Sequence, residues 1–171
     1  MQPSEKEAES RKMKRVQEIF RDPEVTACLE ELRALEKDRA FCRHDIDHLL
    51  ATARLAYIFS LERGYKLDKT LIYAAALLHD CGKAEQYRIG TPHHTAGAEF
   101  AGRILSKYDF SEEEKERIIT AIREHRKRGE SGDELSEVLY DEDQMSRNCF
   151  DCAVKDECSW SDQKKNLTIL W

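Results

Sequence analysis

The sequence predicts an all-α fold, a helical bundle forming one unit. Apolar residues recur at helical spacing along most of the chain, and the alternation typical of strands is almost absent. The seven glycines and three prolines fall where helices would begin or end. A chain of 171 residues can bury one hydrophobic core without help from disulfides.

Two charged amphipathic helices are predicted at the N-terminus. The first covers residues 4–20, and the second runs from Pro23 to about Arg39 with Asp22 as its N-cap. We interpret them as an outer layer or lid on a core domain. The predicted division of the chain is an N-terminal helical extension (1–40), a core domain (41–148) and a short Cys-rich C-terminal tail (149–171).

The next two predicted helices are the most apolar ones. Residues 47–62 carry two apolar stripes, which indicates a central helix buried on nearly all sides. Asp68 caps the following helix, whose apolar run ends at His79 and Asp80. We expect Gly82 to stop this helix in a left-handed conformation.

Three further helices complete the predicted bundle. A Thr-Pro pair begins a helix over residues 91–108. Ser111 and Glu114 have the spacing of a capping box, which predicts a helix from there to about residue 125. The last helix is predicted over about residues 134–147.

Charge and hydropathy restrict the partners. With 34 acidic and 28 basic residues the chain has a formal net charge of −6, which argues against general binding of nucleic acids or anionic membranes. The N-terminus has no signal-peptide pattern, and the longest apolar run, residues 71–78, is too short to span a bilayer. We therefore expect a cytoplasmic monomer or homodimer with neither nucleic acid nor membrane as its partner.

A buried His-Asp pair indicates a metal. Asp80 closes an apolar helix, where a carboxylate is costly to bury unless it is paired or bound to a cation. A divalent ion held jointly with His79 would compensate that cost, and mixed imidazole and carboxylate ligands suit iron, manganese, nickel, cobalt or zinc. Taken singly, each of the six histidines is better explained as a core or surface residue bonded to a backbone carbonyl, and it is the set of six that favours a metal.

Three segments carry a more specific resemblance. They are RHDIDHLLATARLA at 43–56, LLHDCGK at 77–83 and DEDQM at 141–145. Their order resembles the H…HD…D signature of the HD-domain phosphohydrolases, over residues 42–147. The resemblance implies an all-α HD-domain bundle and a metal-dependent phosphohydrolase.

The resemblance also implies the ligands of a first metal. The first histidine of the signature falls on His48 rather than His44, because Ala56 follows His48 at the separation usual in the family. The last aspartate falls on Asp143, with Asp141 as the alternative, since a glutamate replaces the small residue between them. The implied set is His48, His79, Asp80 and Asp143.

Family members with two metals take further histidines from the helices that follow. His93 and His125 stand at the matching places, and His93 is preferred to His94 because a small residue, Gly97, lies four positions after it. These two histidines are expected to share Asp80 and hold a second metal. One metal per chain is the alternative.

The implied chemistry is hydrolysis by metal-activated water, with Asp80 binding or bridging the ions. Lys83 resembles the basic residue of the family's HDxGK motif and would contact a phosphate oxygen, although a lysine solvated near a helix end is an equal alternative. Arg43 and Arg126 are further candidates for phosphate contact, because a guanidinium can bind two phosphate oxygens. His44 is expected to contact phosphate or to support a metal ligand, with plain packing at the helix N-terminus as an equal alternative.

The implied substrate is a phosphate ester or anhydride of a nucleotide or another small phosphorylated metabolite. The six-ligand pattern is also similar to that of bacterial symmetric diadenosine tetraphosphate hydrolases of the HD type. A non-enzymatic module that senses a nucleotide or a metal is the alternative, because a fold does not guarantee turnover.

The tail contains a separate cysteine pattern. Cys149, Cys152 and Cys158 have a spacing that suits zinc or an iron–sulfur cluster, and such a site needs a fourth thiolate. Cys42 is the predicted fourth ligand, because it precedes His48 by as many residues as Cys149 follows Asp143. The alternative is that the cysteines are small buried residues of the tail.

Overall fold

The computed structural model describes residues 4–169, and this range contains α-helices, 3₁₀ turns and no strand. The predicted all-α class is confirmed. Residues 1–3 and 170–171, which belong to the predicted extension and tail, lie outside the described range. The helices are α1 (Glu5–Lys12), α2 (Lys14–Phe20), α3 (Pro23–Leu35), α4 (Ile46–Glu62), α5 (Lys69–Leu78), α6 (Lys83–Ile89), α7 (His93–Leu105), α8 (Glu112–Glu124) and α9 (Glu134–Met145), followed by 3₁₀ turns at Cys149–Asp151 and Lys155–Glu157.

Helix α5 lies at the centre of the bundle. Its residues 70–72 and 74–78 are all buried, as expected for an apolar run with no polar face. Helices α4, α8 and α9 pack against it, and α7 packs on α8. The end of α5, where His79 and Asp80 lie, is therefore surrounded by the other helices of the core.

The N-terminal helices differ from the prediction in their bounds. The chain turns at Met13, so that α1 and α2 replace one predicted helix. Helix α1 buries none of its residues and starts with a capping box between Ser4 and Glu7, whereas α2 buries Val16 and Ile19. The break thus separates a surface turn of helix from the part that packs on the core.

The predicted helix starts agree with the structure. The Asp68 carboxylate accepts a hydrogen bond from the Thr70 amide at 2.6 Å. The Ser111 hydroxyl accepts one from the Glu114 amide at 3.2 Å, and the Glu114 carboxylate accepts one in return from the Ser111 amide at 2.8 Å. These side chains satisfy amide groups that lack a partner within the helix.

The expectation for Gly82 is wrong. Its φ is −79°, in the right-handed region, and it caps the start of α6, a helix that the sequence analysis did not predict. A Cβ atom on Gly82 would lie 2.1 Å from the His93 carbonyl oxygen and 2.5 Å from the Gly97 nitrogen. Glycine is therefore required here because the backbone of α7 approaches closely. The left-handed glycine is Gly90, which ends α6 with φ 82°.

None of the helices within residues 4–169 combines the length and the apolar character that crossing a membrane requires.

Candidate metal centre

Six ionisable side chains from separate parts of the sequence meet at the end of α5. His79 and Asp80 lie in the turn that follows α5, where the chain passes into α6. The other four come from helix ends: His48 from the first turn of α4, His93 from the start of α7, His125 from the end of α8 and Asp143 from the last turn of α9.

Four of the six form a first group of potential ligands. The His48 Nε2 atom lies 3.1 Å from Asp143 Oδ1 and 3.3 Å from Asp80 Oδ2. The His79 Nε2 atom lies 3.1 Å from Asp80 Oδ2 and 3.4 Å from Asp143 Oδ1. Each residue offers one ligand atom, and all four atoms lie within 4.8 Å of one another.

A second group shares Asp80. Its other oxygen, Oδ1, lies 3.7 Å from His93 Nε2 and 3.9 Å from His125 Nε2, and the two Nε2 atoms are 3.1 Å apart. The two carboxylate oxygens of Asp80 thus face different groups. This arrangement allows one carboxylate to bridge two cations.

Backbone carbonyls fix the rings of two histidines. The Nδ1 atom of His79 donates to the Ala76 carbonyl at 2.7 Å, and the Nδ1 atom of His125 donates to the Ile122 carbonyl at 2.5 Å. Both acceptors lie three residues earlier, in the last turn of the same helix. With the proton on Nδ1, each ring presents the lone pair of Nε2 to the centre.

Side chains orient the other two rings. The Nδ1 atom of His93 donates to Gln86 Oε1 at 2.8 Å. The Ser146 hydroxyl donates its one proton to the Asp143 carbonyl at 2.8 Å, so its oxygen accepts from His48 Nδ1 at 3.1 Å. These contacts again leave Nε2 of both histidines as the inward-facing acceptor.

The centre favours a cation electrostatically. Burial alone would lower the pKa of His79, but the adjacent Asp80 and Asp143 carboxylates raise it to about 10, so without a cation Nε2 attracts a proton. With Nε2 unprotonated, the buried His79 Nε2 and Asp80 Oδ2 atoms lie 3.1 Å apart and neither has a hydrogen-bond partner. Such atoms are costly unless a cation binds them, so the donor set fits a metal.

The second pair of histidines is held neutral. Burial, followed by the charge of Lys83, lowers the pKa of His93 to about 2. Burial and the neighbouring His79 lower the pKa of His125 to about 4. Because metals bind the neutral imidazole, both rings are ready to bind across the physiological pH range.

A cavity of about 490 Å³ opens beside Asp80 and Asp143. Four basic side chains line it, although the chain as a whole carries a net charge of −6. Burial lowers the pKa of one of them, Lys83, because the desolvated ammonium is disfavoured. The basic lining residues are Arg39, Lys83, Arg126 and Arg147, and the aromatic ones are Phe41 and Trp160.

His44 lies on the wall of this cavity and is held by a carboxylate that the sequence analysis missed. The Glu36 carboxylate accepts hydrogen bonds from the His44 amide at 2.7 Å, from His44 Nδ1 at 2.5 Å and from the Tyr87 hydroxyl at 2.6 Å. Burial opposes ionisation of Glu36, but these donors outweigh it and lower the pKa of Glu36 to about 2. No pattern in the sequence marks this residue.

Other predicted residues lie outside the centre. The Arg43 guanidinium donates to the Lys37 carbonyl at 3.0 Å, and Arg43 is absent from the described lining of the cavity. The alternative aspartate, Asp141, pairs with Arg63 at 3.0 Å and with Arg128 at 2.7 Å. His94 belongs to neither ligand group.

Arg147 is a further residue that the sequence analysis did not select. Its Nη2 atom lies 2.9 Å from His48 Nε2, and its Nη1 atom donates to the Arg43 carbonyl at 2.6 Å. Arg147 follows Asp143 by four residues, which places both side chains on the same side of the chain as it leaves α9. The four-residue spacing from Asp143 is the sequence signal that could have identified Arg147.

The cysteines of the predicted second site lie beside the same cavity. Cys42 and Cys158 line it, Cys149 is buried, and Cys152 is half-buried. Within residues 4–169, three or more potential ligand atoms come within 4.8 Å of one another only in the two His/Asp groups. No three of the four sulfur atoms therefore lie within 4.8 Å of one another.

Comparison with known proteins gives consistent matches. The HD domain family model matches residues 45–160. An uncharacterized protein of Clostridium beijerinckii is 39% identical over 153 residues, which cover 90% of this chain and 96% of that protein. Ribonuclease Y of Acidothermus cellulolyticus is 33% identical over 103 residues, 60% of this chain but 18% of the ribonuclease.

A solved structure shares the fold. The crystal structure of a predicted HD superfamily hydrolase from an uncultured Thermotogales bacterium matches with a TM-score of 0.62 at 20% identity. The match covers 86% of this chain and 82% of the other.

Proposed function

This chain belongs to the HD domain family, and from that premise we propose that it is a metal-dependent phosphohydrolase acting on a nucleotide or another small phosphorylated metabolite. One observation carries the proposal. The two oxygens of Asp80 face two separate groups of ligand atoms, at the edge of a cavity lined by basic side chains. This arrangement suits hydrolysis of a phosphate ester or anhydride.

Two divalent transition ions fit the donor atoms. The nitrogen and oxygen donors suit iron, manganese, nickel, cobalt or zinc. Divalent cations held there would supply Lewis acidity, which neutralises phosphate charge and makes water a stronger nucleophile near neutral pH. The residues that would hold the ions are His48, His79, Asp80 and Asp143 for one, and Asp80, His93 and His125 for the other.

The basic side chains of the cavity would bind the phosphate groups. Lys83 follows Asp80 by three residues, and its partial burial strengthens its attraction for an anionic oxygen. Arg126 and Arg147 reach the cavity from the ends of α8 and α9, and a guanidinium can bind two phosphate oxygens at once. These contacts would orient the phosphorus and strengthen as charge grows on its oxygens.

The aromatic side chains of the cavity favour a nucleotide rather than a simple phosphate as the substrate. Phe41 and Trp160 line the cavity together with the basic side chains, and an aromatic face can stack on a nucleobase. A cavity of about 490 Å³ is within the usual range for small-molecule sites. The match to ribonuclease Y spans 18% of that protein, so RNA enters the test as a comparison substrate.

The test is a substrate panel assayed with added manganese, iron or cobalt. It includes mononucleotides, dinucleoside polyphosphates, phosphorylated sugars and a short oligoribonucleotide, with released phosphate or shortened product as the readout. We expect turnover of at least one small substrate and no comparable cleavage of the oligoribonucleotide. Binding across the panel without any turnover would instead favour a sensing module.

A pair of aspartates on α9 gives matched variants. Asp143→Asn removes a carboxylate that lies 3.1 Å from His48 and should lower turnover by more than about 100-fold, since even outer-shell changes cost 10–100-fold. Asp141 lies on the same helix but forms ion pairs with Arg63 and Arg128. Asp141→Asn should therefore leave turnover within a few fold of the wild-type value. Equal effects of the two variants would argue against the assigned centre.

A further inference from the structure

We propose that Cys42, Cys149, Cys152 and Cys158 bind a [4Fe–4S] cluster, which fixes the C-terminal tail as one wall of the cavity. Four cysteine thiolates are the usual ligands of such a cluster. The site is separate from the His/Asp centre and stands independently of the proposed hydrolase activity.

The fold brings the two parts of this cysteine site together. Cys42 lies between α3 and α4, more than 100 residues before the other three. Arg147, two residues before Cys149, donates to the carbonyl of Arg43, the neighbour of Cys42, at 2.6 Å. Cys42 and Cys158 then line the same cavity. Tertiary structure thus gathers thiols that are remote in sequence.

Successive turns present the three tail cysteines. The Cys152 amide donates to the Cys149 carbonyl at 3.2 Å, the Lys155 amide to the Cys152 carbonyl at 3.3 Å, and the Cys158 amide to the Lys155 carbonyl at 3.3 Å. Each bond closes a turn of three residues. These tight turns keep the three tail cysteines within a short, compact stretch of backbone.

The thiols also interact electrostatically. Cys42 lies close enough to the thiols of Cys149, Cys152 and Cys158 to interact electrostatically with each of them. Four thiolates in one place would repel one another. Bound metal removes that repulsion, because it stabilises each thiolate directly.

The positions of the sulfur atoms do not match the ligands of a single zinc ion. A zinc–sulfur bond is about 2.3 Å, so two sulfurs on the same zinc are at most about 4.6 Å apart. No three of these four sulfurs lie within 4.8 Å of one another. A four-iron cluster places each cysteine on a different iron, and its ligand sulfurs stand farther apart.

Apolar burial does not explain how the tail is held. Cys149 is the one buried residue among 147–169, while Phe150, Leu167 and Ile169 are exposed. Asn166 anchors the far end of the tail through its amide, which donates to the Gln144 and Arg147 carbonyls at 2.9 Å each. Residues 150–160, which include the cavity residue Trp160, need another anchor, and the cluster supplies it.

The test is acid-labile sulfide and iron in the full chain, purified without oxygen. Sulfide is decisive because the His/Asp centre can hold iron but not sulfide. We expect four sulfides per chain and charge-transfer absorption in the visible range. Cys152→Ser and Cys42→Ser should each lose both signals, whereas Cys28→Ser should retain them, since that buried thiol donates to the Cys81 carbonyl at 3.2 Å, away from the tail.

Two further measurements separate the outcomes. Asp80→Asn should keep its sulfide even if it loses activity, so failure of the cluster and failure of the hydrolase are distinguishable. Limited proteolysis should cut the tail of Cys152→Ser faster than that of Cys28→Ser, while circular dichroism shows the helices intact. One zinc per chain at the cysteines, two sulfides, or no sulfide in folded wild-type protein would overturn the proposal.

Discussion

Gly82→Ala tests whether the close approach of α7 to the end of α5 sets the geometry of the centre. The added Cβ would lie 2.1 Å from the His93 carbonyl oxygen and 2.5 Å from the Gly97 nitrogen. Both atoms belong to backbone, so rotation of a side chain cannot relieve the contact. To restore van der Waals distance, α7 must move away by more than about 1 Å.

That movement has two measurable consequences. His93 is the first residue of α7, and its Nε2 lies 3.7 Å from Asp80 Oδ1, so the second ligand group would open. A misplacement of about 1 Å can lower the rate about 100-fold. Overpacking costs about 1–3 kcal/mol, which for a chain of this length lowers the melting temperature by roughly 2–12 °C.

The assay compares Gly82→Ala with Gly102→Ala, a glycine within α7 itself. A Cβ on Gly102 would lie 3.4 Å from Ile119 Cδ1, an ordinary contact, and alanine favours a helix interior by about 0.5–1 kcal/mol. Gly102→Ala should therefore match or exceed the wild-type melting temperature with normal turnover. Wild-type turnover and melting temperature in Gly82→Ala would refute the reasoning.

Three further predictions concern single side chains. Asp80→Asn removes the carboxylate that both ligand groups share. Elemental analysis should find a large loss of metal, and turnover should fall by more than about 100-fold, while circular dichroism shows the helices retained. Full metal content in this variant would contradict the prediction. Lys83→Ala should lower kcat/KM about 100-fold at unchanged metal content, and a wild-type value would exclude Lys83 from phosphate binding. Glu36→Gln should reduce the free energy of unfolding at pH 7 by about 2–3 kcal/mol, because folding lowers the pKa of Glu36 from 4.5 to about 2. The stability that Glu36 contributes is present above pH 4.5 and is lost as the pH falls through about 2. The free energies of unfolding of variant and wild type, measured in urea, should therefore become equal near pH 2. A difference that stays constant with pH would contradict the role assigned to the Glu36 carboxylate.

Most of the helices and the His79–Asp80 pair could be predicted because their signals are local, whereas the other four proposed ligands came from the resemblance to the HD-domain phosphohydrolases. Asp68 and the Ser111–Glu114 pair mark helix starts that the structure contains. The structure also brings all six proposed ligands together, and each lies within one turn of a helix end. Helix ends are visible in a sequence through caps, proline and glycine, whereas which side chains at those ends meet was indicated by the family pattern.

The residues that the sequence analysis missed act through tertiary contacts. Glu36 ends α3 and accepts hydrogen bonds from His44 and Tyr87, which are 8 and 51 residues away. Gly82 was given the wrong role because its neighbour is the backbone of α7 and not the helix that it follows. Neither contact leaves a periodic or spacing signal, so only the folded chain reveals it.

The two proposed metal sites differ in how they depend on folding. At the His/Asp centre, carbonyls in the last turns of α5 and α8 already orient His79 and His125, so the fold arranges the ligands before any ion binds. At the cysteine site the tail has local turns, the two hydrogen bonds of Asn166 and few buried groups, so binding energy there would also be ordering energy. Loss of metal from the first site should therefore leave the helices in place, whereas loss of the cluster should release the segment that carries Trp160. A nucleotide stacked on Trp160 would then lose a contact while the phosphate ligands remain, so substrate affinity should fall more than the rate at saturation.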